Sequence, residues 1–244
     1  MELRRLGVIC LLSGSVIAMT SGRAHATSFS YTFDSDAQGW TGISGTPPTP
    51  LTWNSSGGNP GGNVSDSESG GISGLGSVQL KLGIERAVSL DPATYGATLS
   101  LDTALLVNNH LVDAQGIEIT LIGAVNGGYV SFTHLSNVDL LSGAWTSSSV
   151  RLDTSTSWTY NFSLGPFDDT HVATQADWNA YLPYLNDLVI LNQLSFLRQT
   201  GGNGTFGFDN ITLTEAAPPS VPEPTSMLLL GTGLAGLGLR QRRR

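Results

Sequence analysis

The sequence predicts an all-β protein: a single antiparallel sandwich or barrel with one short helix. Three observations carry this expectation. Apolar residues recur at every second position in short runs separated by turn formers, the pattern of antiparallel strands with one wet face. Helical spacing is confined to one segment, 174–185. The stretch left between two specialised ends is about 190 residues, the size of one large β-domain.

The elements follow in order. Residues 28–33 place Phe29, Tyr31 and Phe33 on one face. Residues 42–76 hold Pro47, Pro48, Pro50 and Pro60 among many glycines and serines, and read as a long loop. Alternation returns at 77–82, with Val78, Leu80 and Leu82, and again at 98–105. Ile117, Ile119 and Leu121 share a face of 116–122, and 129–132, 149–152 and 157–162 continue the series. The run Gly165-Pro166-Phe167-Asp168-Asp169-Thr170 reads as a turn. Trp178, Leu182 and Leu185 then recur at helical spacing, with Thr174 as cap, Asp177 three residues later, and Pro183 as the stop. Strands over 188–196 and 207–213 close the domain, and 215–223, with Pro218, Pro219 and Pro222, is a stiff spacer.

Both ends read as addresses. Arg4 and Arg5 precede an apolar run over 6–19, and Ala24-His25-Ala26 is a small-x-small cleavage site. Residues 1–26 are therefore expected to be a signal peptide handled by the Sec export machinery, leaving Thr27 first. The only cysteine, Cys10, leaves with it, so the exported chain has no thiol for a disulfide, a nucleophile or a thiolate metal site. At the other end Pro222-Glu223-Pro224 precedes an uncharged run over 227–239 and then Arg240, Arg242, Arg243 and Arg244. That run would cover about 20 Å as a helix. With its flanks it is expected to span a membrane, its arginines on the cytoplasmic side. The expected organisation is a signal peptide at 1–26, a β-domain at 27–214, a spacer at 215–225 and a transmembrane end at 226–244.

This tail resembles the PEP-CTERM sorting signal, which consists of that triplet, an apolar stretch and a basic end. The resemblance implies a Gram-negative, exopolysaccharide-producing host and an exosortase-type membrane peptidase as partner. It implies a chain exported through the inner membrane, anchored transiently by its C-terminal helix, then placed at the cell surface or in the extracellular matrix. From 27 to 223 the chain has 4 basic and 18 acidic residues, a net charge of 4 − 18 = −14. Nucleic acid, which needs clustered cations, is excluded as a partner.

The order of landmarks in the body resembles the laminin B (laminin IV type A) domain. These are Phe33-Asp34 with Gly39-Trp40, then Trp53 ahead of Gly57-Gly58-Asn59-Pro60-Gly61-Gly62. Residues 91–101, Trp158, the segment 176–190 and Phe208-Asp209-Asn210-Ile211 follow. Two departures stand out: Asn63 follows Gly62 where an aromatic is usual, and Arg198 has no acidic neighbour. The resemblance implies a jelly-roll-like antiparallel β-sandwich close to carbohydrate-binding modules, and no catalytic activity.

Chemistry is sparse. His110, His134 and His171 lack metal-ligand spacing, and no nucleophile elbow or phosphate loop occurs. The pair Asp168-Asp169 is the one candidate for carboxylate-dependent glycan hydrolysis or lysis, the alternative to a non-enzymatic role, although adjacent residues in a turn usually face apart. The jelly-roll resemblance implies a structural calcium where first and last strands meet, with Asp34 or Asp36 and Asp209 as ligands. Asp209 and Asn210 could equally cap a bulge. For a glycan, Trp53 and Trp40 are the leading stacking candidates, with Trp145 and Tyr129 behind them, each weighed against a core role. Trp158 is assigned to the core. The expected function is an exported, non-enzymatic surface or matrix protein, with glycan or exopolysaccharide as its candidate ligand.

Overall fold

The computed structural model describes residues 28–43, 50–70, 77–109, 111–164, 167–197 and 202–216. They form two antiparallel sheets. The first contains β1 (Phe29–Tyr31), β3 (Thr52–Gly58), β4 (Gly61–Gly70), β6 (Thr98–Asn109), β9 (Thr146–Arg151) and β13 (Gly202–Thr214). Its order is β3-β4-β13-β6-β9, with β1 pairing the far end of β13, Phe29 opposite Leu213. The second contains β2 (Thr41–Gly42), β5 (Ser77–Ala87), β7 (Leu111–Val125), β8 (Gly128–Ser136), β10 (Thr159–Leu164), β11 (Phe167–Val172) and β12 (Leu185–Leu197). Its order is β11-β10-β8-β7-β12-β5-β2.

The alternating residues face inward as their period requires. Leu99, Leu101, Phe206 and Phe208 from the first sheet join Ile84, Ile117, Ile119, Phe132 and Ile190 from the second in one buried cluster. Helix α1 (Gln175–Tyr181) closes one end of it. Thr174 and Asp177 form the reciprocal capping box, and Pro183 sits in the 3-10 turn that follows. Trp178 is fully buried, stacks on Phe132 at 4.2 Å and meets Trp158 and Tyr95 edge-on.

Three expectations are corrected. The supposed loop at 42–76 begins on the last residue of β2 and contains β3 and β4, although 44–49 and 71–76 lie outside the described residues. Its glycines and serines have weak strand propensity, but pairing along β13 from Gly202–Gly70 to Phe208–Val64 overrides it. Asp168 and Asp169 belong to the edge strand β11, not to a turn. Finally, among the described residues no helix is long and apolar enough to cross a membrane. The α-helix present has 7 residues, against the roughly 20 a bilayer needs. The transmembrane element expected at 226–244 lies outside the described residues, as does the signal peptide at 1–26. The fold class is corrected to a two-sheet antiparallel sandwich with one short helix. Nothing in it is specific to laminin B.

Candidate functional site

Two motifs 150 residues apart meet at the turn between β3 and β4. The backbone N–H of Asn59 donates to Asp209 Oδ2 at 2.6 Å, and that of Asn210 donates to Oδ1 at 2.7 Å. The Asn210 amide donates to the Asn59 carbonyl and, at 2.8 Å, to Asp102 Oδ2. Ser147 Oγ donates to Asp102 Oδ1 at 2.5 Å. Asn210 reaches these partners from a positive φ of 48° at a β-bulge in β13, a conformation asparagine tolerates better than most residues. Glycine is required at the turn itself. A Cβ on Gly58 would press on the Gly62 carbonyl and lie 2.5 Å from Asp209 Oδ2.

Asp209 is fully buried. Burial pushes its carboxyl up, and the nearby charges of Asp102 and Asp34 add to the rise, outweighing the two N–H donors. Asp34 is exposed and accepts from Thr32 Oγ1 at 2.7 Å. Asp36 accepts from the Gln38 N–H in a local turn. Both Asp209 oxygens, Asp34 Oδ2 and Asp36 Oδ1 accept N–H or O–H donors, and no group of three or more His, Cys, Asp or Glu among the described residues is arranged to hold a metal ion. Calcium needs several free hard oxygens converging on one point, whereas both Asp209 oxygens are taken by backbone N–H groups here. The cluster instead clamps the β3–β4 turn to the sheet.

That clamp holds β3 beside an open groove of about 570 Å³ on the first sheet. Trp53, 37% exposed, flanks the groove, and its indole N–H is tied to the Phe33 carbonyl at 2.6 Å. Asn54 donates to Asn63 Oδ1 at 3.0 Å and to Ser65 Oγ at 3.3 Å, while Asn63 donates to the Ser56 carbonyl. Leu106, Val107 and Thr205 complete the surface, both aliphatic side chains being exposed. Trp145 braces the groove from outside by donating to the Gly57 carbonyl at 2.9 Å. It lies over Gly207, where a Cβ would come within 2.9 Å of the ring.

The other candidates scatter. Trp40 is buried in the core, edge-on to Tyr31, and Trp158 is buried with its N–H on the Arg151 carbonyl. Tyr129 is exposed on β8, away from the groove. His134 bonds the Ser157 carbonyl. Asp168 bonds Ser163, whereas Asp169 bonds His171, so the adjacent carboxylates engage different partners and form no pair. His171 bridges Asp169 and Asp177 at 3.1 and 3.0 Å, and those hydrogen bonds, Asp177 first, raise its pKa. Ala24, Ala26, His110, Pro222, Glu223, Pro224, Arg240, Arg242, Arg243 and Arg244 lie outside the described residues. Sequence reasoning missed Asn54, Asn63, Ser65 and Thr205. The signal available was the alternation Asn63, Ser65, Ser67 against Val64 and Asp66, a strand written in small polar residues.

Fold and site together define an antiparallel two-sheet β-sandwich with an uncharged, tryptophan-flanked groove. The PEP-CTERM protein-sorting motif matches residues 220–244, so the chain carries a PEP-CTERM-like C-terminal signal that links it to an exosortase-type sorting system. The membrane-anchored stage expected from a spanning helix is withdrawn, since no such helix is found among the described residues. No curated protein matches the chain. Among solved structures, it is similar to a family 11 carbohydrate-binding module from Clostridium thermocellum in complex with a β-1,3-1,4-mixed-linked tetrasaccharide. The identity is 14%, the coverage 81% of this chain and 92% of that one, and the TM-score 0.37. A carbohydrate esterase from the Shiga toxin-encoding bacteriophage phi24B shows 14% identity, coverage of 79% and 100%, and a TM-score of 0.40. Lectin I-B4 from Griffonia simplicifolia shows 13%, 75% and 99%, and 0.34. At these values the likeness extends no further than general β-sandwich character.

Proposed function

We propose that this chain is an exported, non-enzymatic surface or extracellular-matrix protein whose sandwich binds glycan in the groove beside Trp53. Export runs through Sec, with cleavage after Ala26, and an exosortase-type peptidase recognises Pro222-Glu223-Pro224. The observation that carries the reading is the groove's chemistry. A pyranose has apolar C–H faces and a polar rim, and the groove offers a pinned indole and two exposed aliphatics beside amides and hydroxyls. The amides are held by one another, so little ordering is left to the moment of binding. Carboxylate catalysis has no support in β11, where Asp168 and Asp169 turn to separate partners.

Affinity electrophoresis of the purified protein in gels containing host exopolysaccharide or neutral polysaccharides tests this reading. Trp53→Ala should weaken binding about thirtyfold, the loss of roughly 2 kcal/mol expected for an aromatic anchor. Retardation unchanged in the variant, or absent from every gel, would sink the proposal.

A further inference from the structure

Among the described residues that line the groove, none has an ionisable side chain. Its polar groups are amides, hydroxyls and backbone, and its apolar groups are Trp53, Leu106 and Val107. A carboxylate, sulfate or phosphate on a sugar would be stripped of water there without a cation to receive it. Among the described residues, no basic side chain lines the groove. Of the four between 27 and 223, Arg86 lies over the Tyr31 ring at 4.4 Å and Arg151 is paired with Asp153 at 2.8 Å. Lys81 belongs to β5 in the opposite sheet, and Arg198 falls outside the described residues. Residues 27–223 meanwhile have 4 basic and 18 acidic side chains, a net charge of −14 whose field repels polyanions before contact.

Resting on the glycan reading, we propose that the groove selects uncharged polysaccharide and rejects acidic polysaccharide of the same backbone. Two separable effects produce the selection. The long-range repulsion fades as salt shortens the screening length to a few ångströms. The desolvation penalty inside the groove does not.

The test pairs each neutral glucan, mannan and galactan with a derivative oxidised at C6 to the uronate on the same backbone. Titration calorimetry on the purified protein is run at low and at high salt. Any neutral polymer that binds should do so at least about tenfold more tightly than its oxidised partner, equivalent to about 1.4 kcal/mol. The gap should narrow at high salt but persist. Thr205→Lys, which places a cation on the groove surface, should shrink it further while folding is verified by circular dichroism. Equal or tighter binding of the oxidised polymer would overturn the selectivity and leave the glycan reading standing. Binding of no polymer of either kind would overturn both.

Discussion

Trp158 and Trp178 offer a controlled comparison, because both indoles are almost wholly buried, at 1% and 0% exposure, and they touch each other edge-on. They differ in one atom's fate. Trp158 Nε1 donates to the Arg151 carbonyl at 2.8 Å, whereas Trp178 Nε1 finds no hydrogen-bond partner among the described residues. Replacing either by phenylalanine removes the same atoms, so the transfer and cavity costs largely cancel between the variants. Trp158→Phe also loses a hydrogen bond with a net value of about 0.5–1.5 kcal/mol. Trp178→Phe instead removes a buried, unsatisfied donor whose desolvation costs about 1–3 kcal/mol. The difference is therefore about 1.5–4.5 kcal/mol, with Trp158→Phe the more destabilised. Urea unfolding of both variants reads it directly. At a slope of about 2–3 kcal/mol per molar, the midpoints should differ by roughly 0.5–2 M with the slopes unchanged. If Trp178→Phe proves as costly as Trp158→Phe, the account of that orphan N–H is wrong.

Other outcomes follow from the clamp and from the helix. Gly58→Ala should destabilise by about 3 kcal/mol in the same urea assay, since its Cβ has backbone on one side and Asp209 on the other. The raised pKa of Asp209 means that the folded state favours its protonated form. Stability relative to Asp209→Asn should thus be greatest in acid and decline as pH rises from about 4 through the raised folded value, as melting temperatures across pH would show. His171 is raised by Asp177 and Asp169, so its contribution is complete below about pH 6.5 and is lost as pH climbs through its folded pKa. The melting-temperature gap between the native chain and His171→Gln should shrink from pH 6 to alkaline pH, and a gap that widens would contradict the bridge.

Where apolar residues alternate, the strands were plain in the sequence. Ile117, Ile119 and Leu121 face the core as their period demands, and the helix begins at its expected Thr174 cap. What the sequence concealed was β3 and β4. Their side chains are mostly small and polar, so neither propensity nor hydrophobic alternation marks them; β4 is paired by β13, far along the chain, and β3 then pairs with β4. The site suffered the same way. Trp53 could be singled out as an aromatic beside a glycine-rich run, but its neighbours Leu106, Val107 and Thr205 arrive from β6 and β13. Likewise the motifs around Asn59 and Asp209 were each noticeable, yet only the folded sheet brings them into hydrogen-bonding contact.

On the proposed function, the last strand bears on how this molecule is held while it holds a ligand. β13 passes the groove at Thr205 and runs on to Thr214, a rise of about 30 Å over nine steps at roughly 3.3 Å each. At that far end Leu213 pairs with Phe29, so the chain enters and leaves the sandwich at one corner. Whatever seizes the segment beyond Thr214 grips the domain by one pole, and the Trp53 groove stands toward the other. On the proposed reading, the grip lies past the end of β13 while Trp53 stands level with Phe208, further back along the same strand.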